Sequence, residues 1–278
     1  MRISRTVVAY SVILLLLLIL AYPALGWLVR SWLSNPYYSH GFLVPVISAL
    51  LAWRQWRFLR AEPRRAENLL GLIVLLLSLG VVIWAMRWQD YAISLVALVG
   101  LLGGIFLFLE GWPRLRHWLF PLLFLLLMIP FPFVDQLSPW LASFTARWAT
   151  ALARLFGVAA VQSGGEITLP GTTLVVGAPC SGLRSLVTMF TVGVLWVYLV
   201  EGRPAAKAVM LAAIVPLAAL SNILRITLLL IIAVAFGTEA ALGYYHDWSS
   251  PLFFLTALVL LLLLGKGLKC WRIRDDIF

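Results

Sequence analysis

Charged side chains are scarce. Asp, Glu, Lys and Arg make up 12% of the 278 residues while 63% are hydrophobic, against the roughly 25% charged residues of a soluble globular chain. So few charges cannot cover a water-facing surface enclosing that much apolar mass, which excludes a soluble enzyme and a disordered chain. Cysteine is nearly absent, with Cys180 and Cys270 alone, and a disulfide scaffold is excluded with it. The three histidines stand far apart, and neither metal-ligand spacing, a P-loop nor a dinucleotide fingerprint occurs, so no metal and no cofactor are expected. Acidic residues number 11 against 21 basic ones, a net charge of +10. In a soluble chain that surplus would suggest nucleic acid. Between long apolar runs it indicates positive-inside anchoring, and the expected partner is the lipid bilayer, not nucleic acid.

What the chain does have is long apolar runs of the roughly 18 to 20 residues that cross a hydrocarbon layer. They fall at 6–29, 36–53, 68–86, 91–109, 118–134, 183–200, 208–237 and 248–265. The expected fold is an all-α polytopic membrane protein of about eight transmembrane helices, a single integral membrane domain over 1–278. The first run follows Arg2 and Arg5 like a signal peptide, but its length and the lack of a small-residue cleavage site favour a retained span. Eight spans put both termini on one side. That side carries fifteen basic residues, including Lys207, Lys266 and Lys269, and the other six, so the richer side is read as cytoplasmic. Cys270 then faces the cytoplasm and Cys180 the outer face of a bacterial inner membrane.

The outer-face segment 135–182 is too long for a bare loop. From Pro139 to Phe156, Trp140, Leu141, Phe144, Trp148, Leu152 and Leu155 recur at three- and four-residue steps, the pattern of an interfacial amphipathic helix. Two turn signals, Gly164-Gly165 and Pro170-Gly171, then punctuate a β-branched stretch and predict a short hairpin leading to Ala178-Pro179-Cys180.

Few polar residues remain near membrane depth, and such residues are functional candidates because their desolvation is costly. Cys180 precedes a helix expected to start near Ser181 or Gly182, whose free N–H groups and positive dipole end favour thiolate, with Arg184 acting in the same sense. Arg225 lies about 18 residues, roughly 27 Å, from Lys207, toward the outer leaflet and with no acidic residue nearby in sequence. A guanidinium so placed suits stabilisation of an anion formed in a reaction, and Asn222 one turn earlier is positioned to orient it. His246, just before the last span, is a proton-transfer partner for a nucleophilic cysteine, or equally a residue of the aromatic membrane belt. His40, in Tyr37-Tyr38-Ser39-His40-Gly41-Phe42, is the competing base or a substrate contact with Tyr38, while His117 falls on the cytoplasmic side.

Three stretches together resemble the exosortase/archaeosortase family. Pro36 to Pro45 resembles its Tyr-Ser-His-Gly-Phe segment, Ala178 to Leu186 its Cys-Ser-Gly-Leu-Arg-Ser motif, and Asn222 to Arg225 with His246 its later arginine and histidine. The resemblance implies Cys180 as nucleophile, Arg225 as partner of the developing oxyanion and His246 as proton carrier, and Arg184 matches a motif position; with it, Ser181, Asn222, His40 and Tyr38 are read as supporting or substrate-binding residues. It implies a sortase-like cysteine peptidase or transpeptidase acting on membrane-anchored proteins with a C-terminal PEP-CTERM sorting signal: a Pro-Glu-Pro motif, a hydrophobic helix and a basic tail. The acceptor nucleophile is not legible. Two other classes stay open: a transporter or channel with Arg225 in its path and a broken helix at Pro216 to Asn222, and an intramembrane protease using Ser181 with His246. The acidic residue of the sorting motif is expected to pair with Arg147, Arg154 or Arg184. Reversing those charges singly, with processing of a tagged substrate as readout, should impair at least one variant; three unimpaired variants would refute the pairing.

Overall fold

A computed structural model describes residues 5–62, 68–177 and 181–275; for 5–11, Leu14, 59–61, Asn68, Tyr244, His246 and Asp247 it describes the backbone only. The expected nucleophile, Cys180, lies outside the described residues. The chain divides into two compact units, Met1–Phe131 and Pro132–Phe278.

The first unit is helical: α1 (Arg5–Ser34), a 3-10 segment (Pro36–Phe42), α2 (Leu43–Ala61), α3 (Asn68–Arg87), α4 (Tyr91–Glu110), α5 (Trp112–Phe124) and a 3-10 turn (Leu125–Met128). Helices α3 and α4 form an antiparallel pair whose backbones almost touch. A Cβ built on Gly104 would stand 2.7 Å from the Leu75 nitrogen, and one on Gly71 2.5 Å from Phe108 backbone atoms. Lipid tails are as apolar as leucine, so membrane helices associate through such close approach of small residues. At the basic end of this unit Glu62 accepts hydrogen bonds from Arg114 through its carbonyl and pairs with Arg116 through its carboxylate, while Arg114 also pairs with Glu110.

The second unit comprises α6 (Pro132–Leu155), strands β1 (Val161–Ser163), β2 (Glu166–Leu169) and β3 (Thr172–Val175), α7 (Leu183–Leu199), α8 (Pro204–Phe236), a single turn α9 (Thr238–Ala240), a π turn (Ala241–Tyr245) and α10 (His246–Gly267). The expected hairpin is a three-stranded antiparallel meander, because each turn signal closes a pair: Ser163 faces Glu166 across one, Leu169 faces Thr172 across the other. Its glycines Gly164 and Gly171 adopt φ of +57° and +83°, a region open mainly to glycine. Alternation along β2 and β3 turns Ile167, Leu169 and Leu174 inward onto α6 and α8.

Helix α6 is amphipathic, with its bulky side outward. Its protein-facing stripe is small, Ser138, Ala142, Thr145, Ala146, Ala149 and Ala153, whereas Trp140, Trp148 and Leu155 point outward. In lipid the bulky face needs no protein cover, and the small face admits α8 and the sheet at close range.

Among the described residues, five helical segments are long and apolar enough to cross a bilayer: Leu15–Ser34, Leu69–Arg87, Tyr91–Glu110, Pro204–Phe236 and Trp248–Gly267, with a sixth if the two pieces around Ile129–Phe131 count as one broken span. The other runs depart from straight spans for local reasons. The run at 36–53 spends its first seven residues in the 3-10 segment. The run at 118–134 is broken where Pro130 and Pro132 remove backbone donors and hold the residues before them extended, Ile129 having ψ of 122°. Helix α7 has 17 residues. The long stretch from Ala208 to Gly237, by contrast, is unbroken: α8 continues through Pro216 and Asn222 for 33 residues.

Beyond α10 the chain pairs with the α7–α8 connection, Val200 opposite Ile273, with the Glu201 N–H donating to the Arg272 carbonyl (2.8 Å) and the Arg274 N–H to that of Leu199 (2.9 Å). Cys270 is a fully buried free thiol packed against Gly202.

The α3–α4 contact predicts that Gly104→Ala forces the helices apart and costs about 1–3 kcal/mol. Gly103→Ala, whose added methyl meets nothing within 4 Å, should stay within about 0.5 kcal/mol of wild type; unfolding in detergent compares the two.

Candidate active site

The polar residues of the second unit gather on one stretch of α8, from Asn222 to Arg225. Three residues at about 1.5 Å rise put them roughly 4.5 Å apart along the axis, on one face. Both are buried, Asn222 at 5% exposure and Arg225 at 4%. A buried guanidinium is costly unless its N–H groups are satisfied, and among the described residues no carboxylate lies within ion-pairing distance of it. Its Nε donates to Ser249 Oγ at 3.0 Å. Ser249 is 1% exposed and sits in the first turn of α10. Tyr245 closes the arrangement: its Oη donates to the Arg225 carbonyl (3.4 Å). Burial pushes the Tyr245 phenol above its ordinary pKa, with the Arg225 charge and a hydrogen bond with Ser249 opposing, so the hydroxyl keeps the proton it donates.

From the other direction the start of α7 settles on Asn222. Gly182, with φ of +84°, occupies the N-cap position, and a Cβ there would lie 2.8 Å from Asn222 Nδ2. The helix thus begins at Leu183, within a residue of where the sequence places it. Ser181, immediately before, is 1% exposed; its Oγ accepts from Ser138 Oγ at 3.3 Å and from the Leu183 N–H at 3.4 Å. Asn222 Nδ2 donates to Thr145 Oγ1 on α6 at 3.2 Å. Between these groups lies a cavity of about 30 Å³ lined by Phe144, Thr145, Ser181, Gly182, Ala219 and Asn222 among others, room for a water molecule or a small group.

Two elements therefore converge on the Asn222–Arg225 turn: the segment that follows Cys180 in sequence, through Gly182, and the segment that carries His246, through Tyr245 and Ser249. The backbone of His246 opens α10; its side chain is not among those described. Arg184 stands in the first turn of α7 and is exposed.

The residue match now has a fold beneath it. A family model described as transmembrane exosortase matches residues 32–263, across both units. The chain belongs to the transmembrane exosortase family. It is accordingly a membrane-embedded sorting enzyme. No curated protein and no solved structure matches the chain.

His40 and Tyr38 belong to the first unit of this exosortase. Tyr38 is buried, its Oη accepts the Phe131 N–H at 3.1 Å, and its ring stacks on His40 with centroids 6.2 Å apart. Gly41 has no room for a side chain, since a Cβ would stand 2.2 Å from Trp32 Nε1, itself donating to the Met128 carbonyl at 2.9 Å. The Tyr-Ser-His-Gly-Phe segment is thus a tightly built 3-10 corner.

Ser249, Tyr245, Thr145 and Ser138 escaped sequence reasoning. Ser138 and Thr145 mark the small stripe of α6, a signal masked by the bulky residues between them. Ser249 follows His246 by three residues, a helical step onto its own face.

The Gly182 contact yields a prediction. Gly182→Ala places a side chain at positive φ, a conformation costing about 1–2 kcal/mol, and pushes Asn222 away; processing should fall more than tenfold, measured on a co-expressed substrate, with a lowered melting temperature in detergent.

Proposed function

We propose that this exosortase cleaves C-terminal sorting signals of the PEP-CTERM type at the outer face of the inner membrane through a thioester on Cys180, with transfer to an acceptor nucleophile. The observation that carries the reading is the buried Arg225, its guanidinium held by the neutral hydroxyl of Ser249 and by no carboxylate among the described residues, at the turn where the Cys180-proximal and His246-bearing segments meet. A guanidinium neutralised by a carboxylate would be a structural ion pair. One held by serine keeps its charge available, and its two terminal nitrogens carry four further N–H donors.

In the proposed sequence His246 takes the Cys180 thiol proton, and the thiolate attacks the carbonyl carbon of the scissile peptide bond. The tetrahedral oxyanion is stabilised by Arg225 in a poorly hydrated site, where each donor is worth more than in water. Collapse breaks the C–N bond, His246 returning its proton to the leaving amine, while the cut tail stays in the bilayer. His246 then deprotonates the acceptor, whose attack breaks the C–S bond and regenerates the thiolate. In this reading eight crossings, counting α2, the broken α5 region and the 17-residue α7, leave both termini in the cytoplasm; α7 is at the short end of the roughly 17–25 residues that span. Arg184, Ser181, Asn222, His40 and Tyr38 serve as supporting or substrate-binding groups. The continuity of α8 removes the broken helix that favoured a transporter.

The test is processing of a co-expressed tagged protein bearing a PEP-CTERM tail, followed by intact mass of the product. Cys180→Ala should abolish cleavage, and Arg225→Ala should lower it by about 10²–10³, the cost of losing an oxyanion donor; added mass on the product identifies the acceptor. Undiminished cleavage by Cys180→Ala would overturn the reading.

A further inference from the structure

The contacts around Arg225 point beyond the expected cysteine, arginine and histidine. Arg225 Nε reaches Ser249 at 3.0 Å, Tyr245 Oη reaches the Arg225 carbonyl at 3.4 Å, and Tyr245 and Ser249 also share a hydrogen bond. These two residues flank His246, one residue before it and three after. They tie side chain and main chain of the same arginine to the same junction. That junction has no regular geometry of its own: it is a π turn, Ala241–Tyr245, with a kink at Gly243 (φ −82°, ψ −113°). A single turn of slip of α10 along α8 would move a residue by about 5.4 Å. A further clamp, Ser221 Oγ donating to the Phe253 carbonyl at 2.6 Å, secures the same pair of helices one turn deeper.

We propose that Ser249, assisted by Tyr245, is a positioning residue of the transfer reaction: by accepting Nε–H it fixes the roll of the guanidinium so that the terminal N–H donors meet the oxyanion, and it sets the register in which His246 is presented. The inference rests on Arg225 acting as the oxyanion partner. Serine is suited to the task because its hydroxyl accepts from Nε while carrying no charge. An aspartate there would also hold the guanidinium but would neutralise it and weaken its pull on a developing anion. An alanine would leave a buried Nε–H without its acceptor and the guanidinium free to rotate. The effect belongs to the transition state, in which the oxyanion exists, so it should appear in kcat rather than in KM.

The experiment uses the full-length protein in detergent micelles with a fluorogenic peptide containing the Pro-Glu-Pro motif and its hydrophobic helix. Ser249→Ala should lower kcat at least tenfold with KM within twofold of wild type, Ser249→Thr should recover at least half of the lost rate by restoring a hydroxyl, and Tyr245→Phe should lower kcat by a smaller factor. Melting temperature is measured on each variant. The inference is overturned if Ser249→Ala keeps wild-type kcat, if KM and kcat change together, or if a Ser249→Thr protein melting like wild type shows no recovery. Arg225→Ala in the same assay separates the two levels: its full activity would sink the oxyanion reading itself, whereas its inactivity beside an unaffected Ser249→Ala would sink only the positioning role.

Discussion

A guanidinium buried in an apolar helix bundle must find hydrogen-bond acceptors, and this requirement organises the second half of the molecule. Leaving a charged group without partners away from water costs several kcal/mol, so the chain must bring acceptors to Arg225 rather than let it reach solvent. Ser249 meets Nε, and Tyr245 binds the adjoining main chain. Because Ser249 and Tyr245, an acceptor for Nε and a donor to the Arg225 carbonyl, both lie at the start of α10, the arginine on α8 determines how α10 docks. On the other side of the same turn Asn222 engages Thr145 and receives Gly182, which fixes where α7 begins. Three elements take their places from one short stretch of α8.

Packing around that stretch follows the rules of a lipid solvent. The face that α6 turns to protein is alanine, serine and threonine, and its tryptophans look outward, the reverse of an amphipathic helix in water. Small residues bring backbones and short polar side chains within hydrogen-bond reach, as in Thr227 Oγ1 donating to the Ala149 carbonyl at 3.4 Å. The meander adds a rigid floor of Ile167, Leu169 and Leu174 under α6 and α8. Together they form one buried apolar cluster between α6, the meander and α8. In the first unit Gly71 and Gly104 bring α3 and α4 equally close, backbone against backbone.

Polytopic class, charge asymmetry, the turn positions of the meander and the start of α7 were all legible from the sequence. Each depends on local composition: apolar length, Lys/Arg counts, Gly and Pro at turns, and small polar residues at a helix start. The candidate residues Ser181, Asn222 and Arg225 were legible for a related reason, since polar groups stand out against a uniformly apolar background. The interruption at Ile129–Phe131 was written in the two prolines, but an apolar run hides it because hydropathy is blind to lost N–H donors. The bulky periodicity of 139–156 marked a helix with an outward-facing apolar side, as the structure has it, but not the small stripe that packs on the protein, because alanine, serine and threonine carry little hydropathy signal.

The sequence by itself determined that this is a membrane-embedded exosortase with a buried arginine, since family motif and hydropathy are properties of residues in order. Tertiary structure alone decided which hydroxyl satisfies that arginine, that α8 passes through Pro216 unbroken, and that Gly182 rests on Asn222. Ser249 is 24 residues from Arg225 and Thr145 is 77 from Asn222. No local pattern encodes such pairings. They exist because burial forces each polar group to take whichever partner the packing brings within about 3 Å.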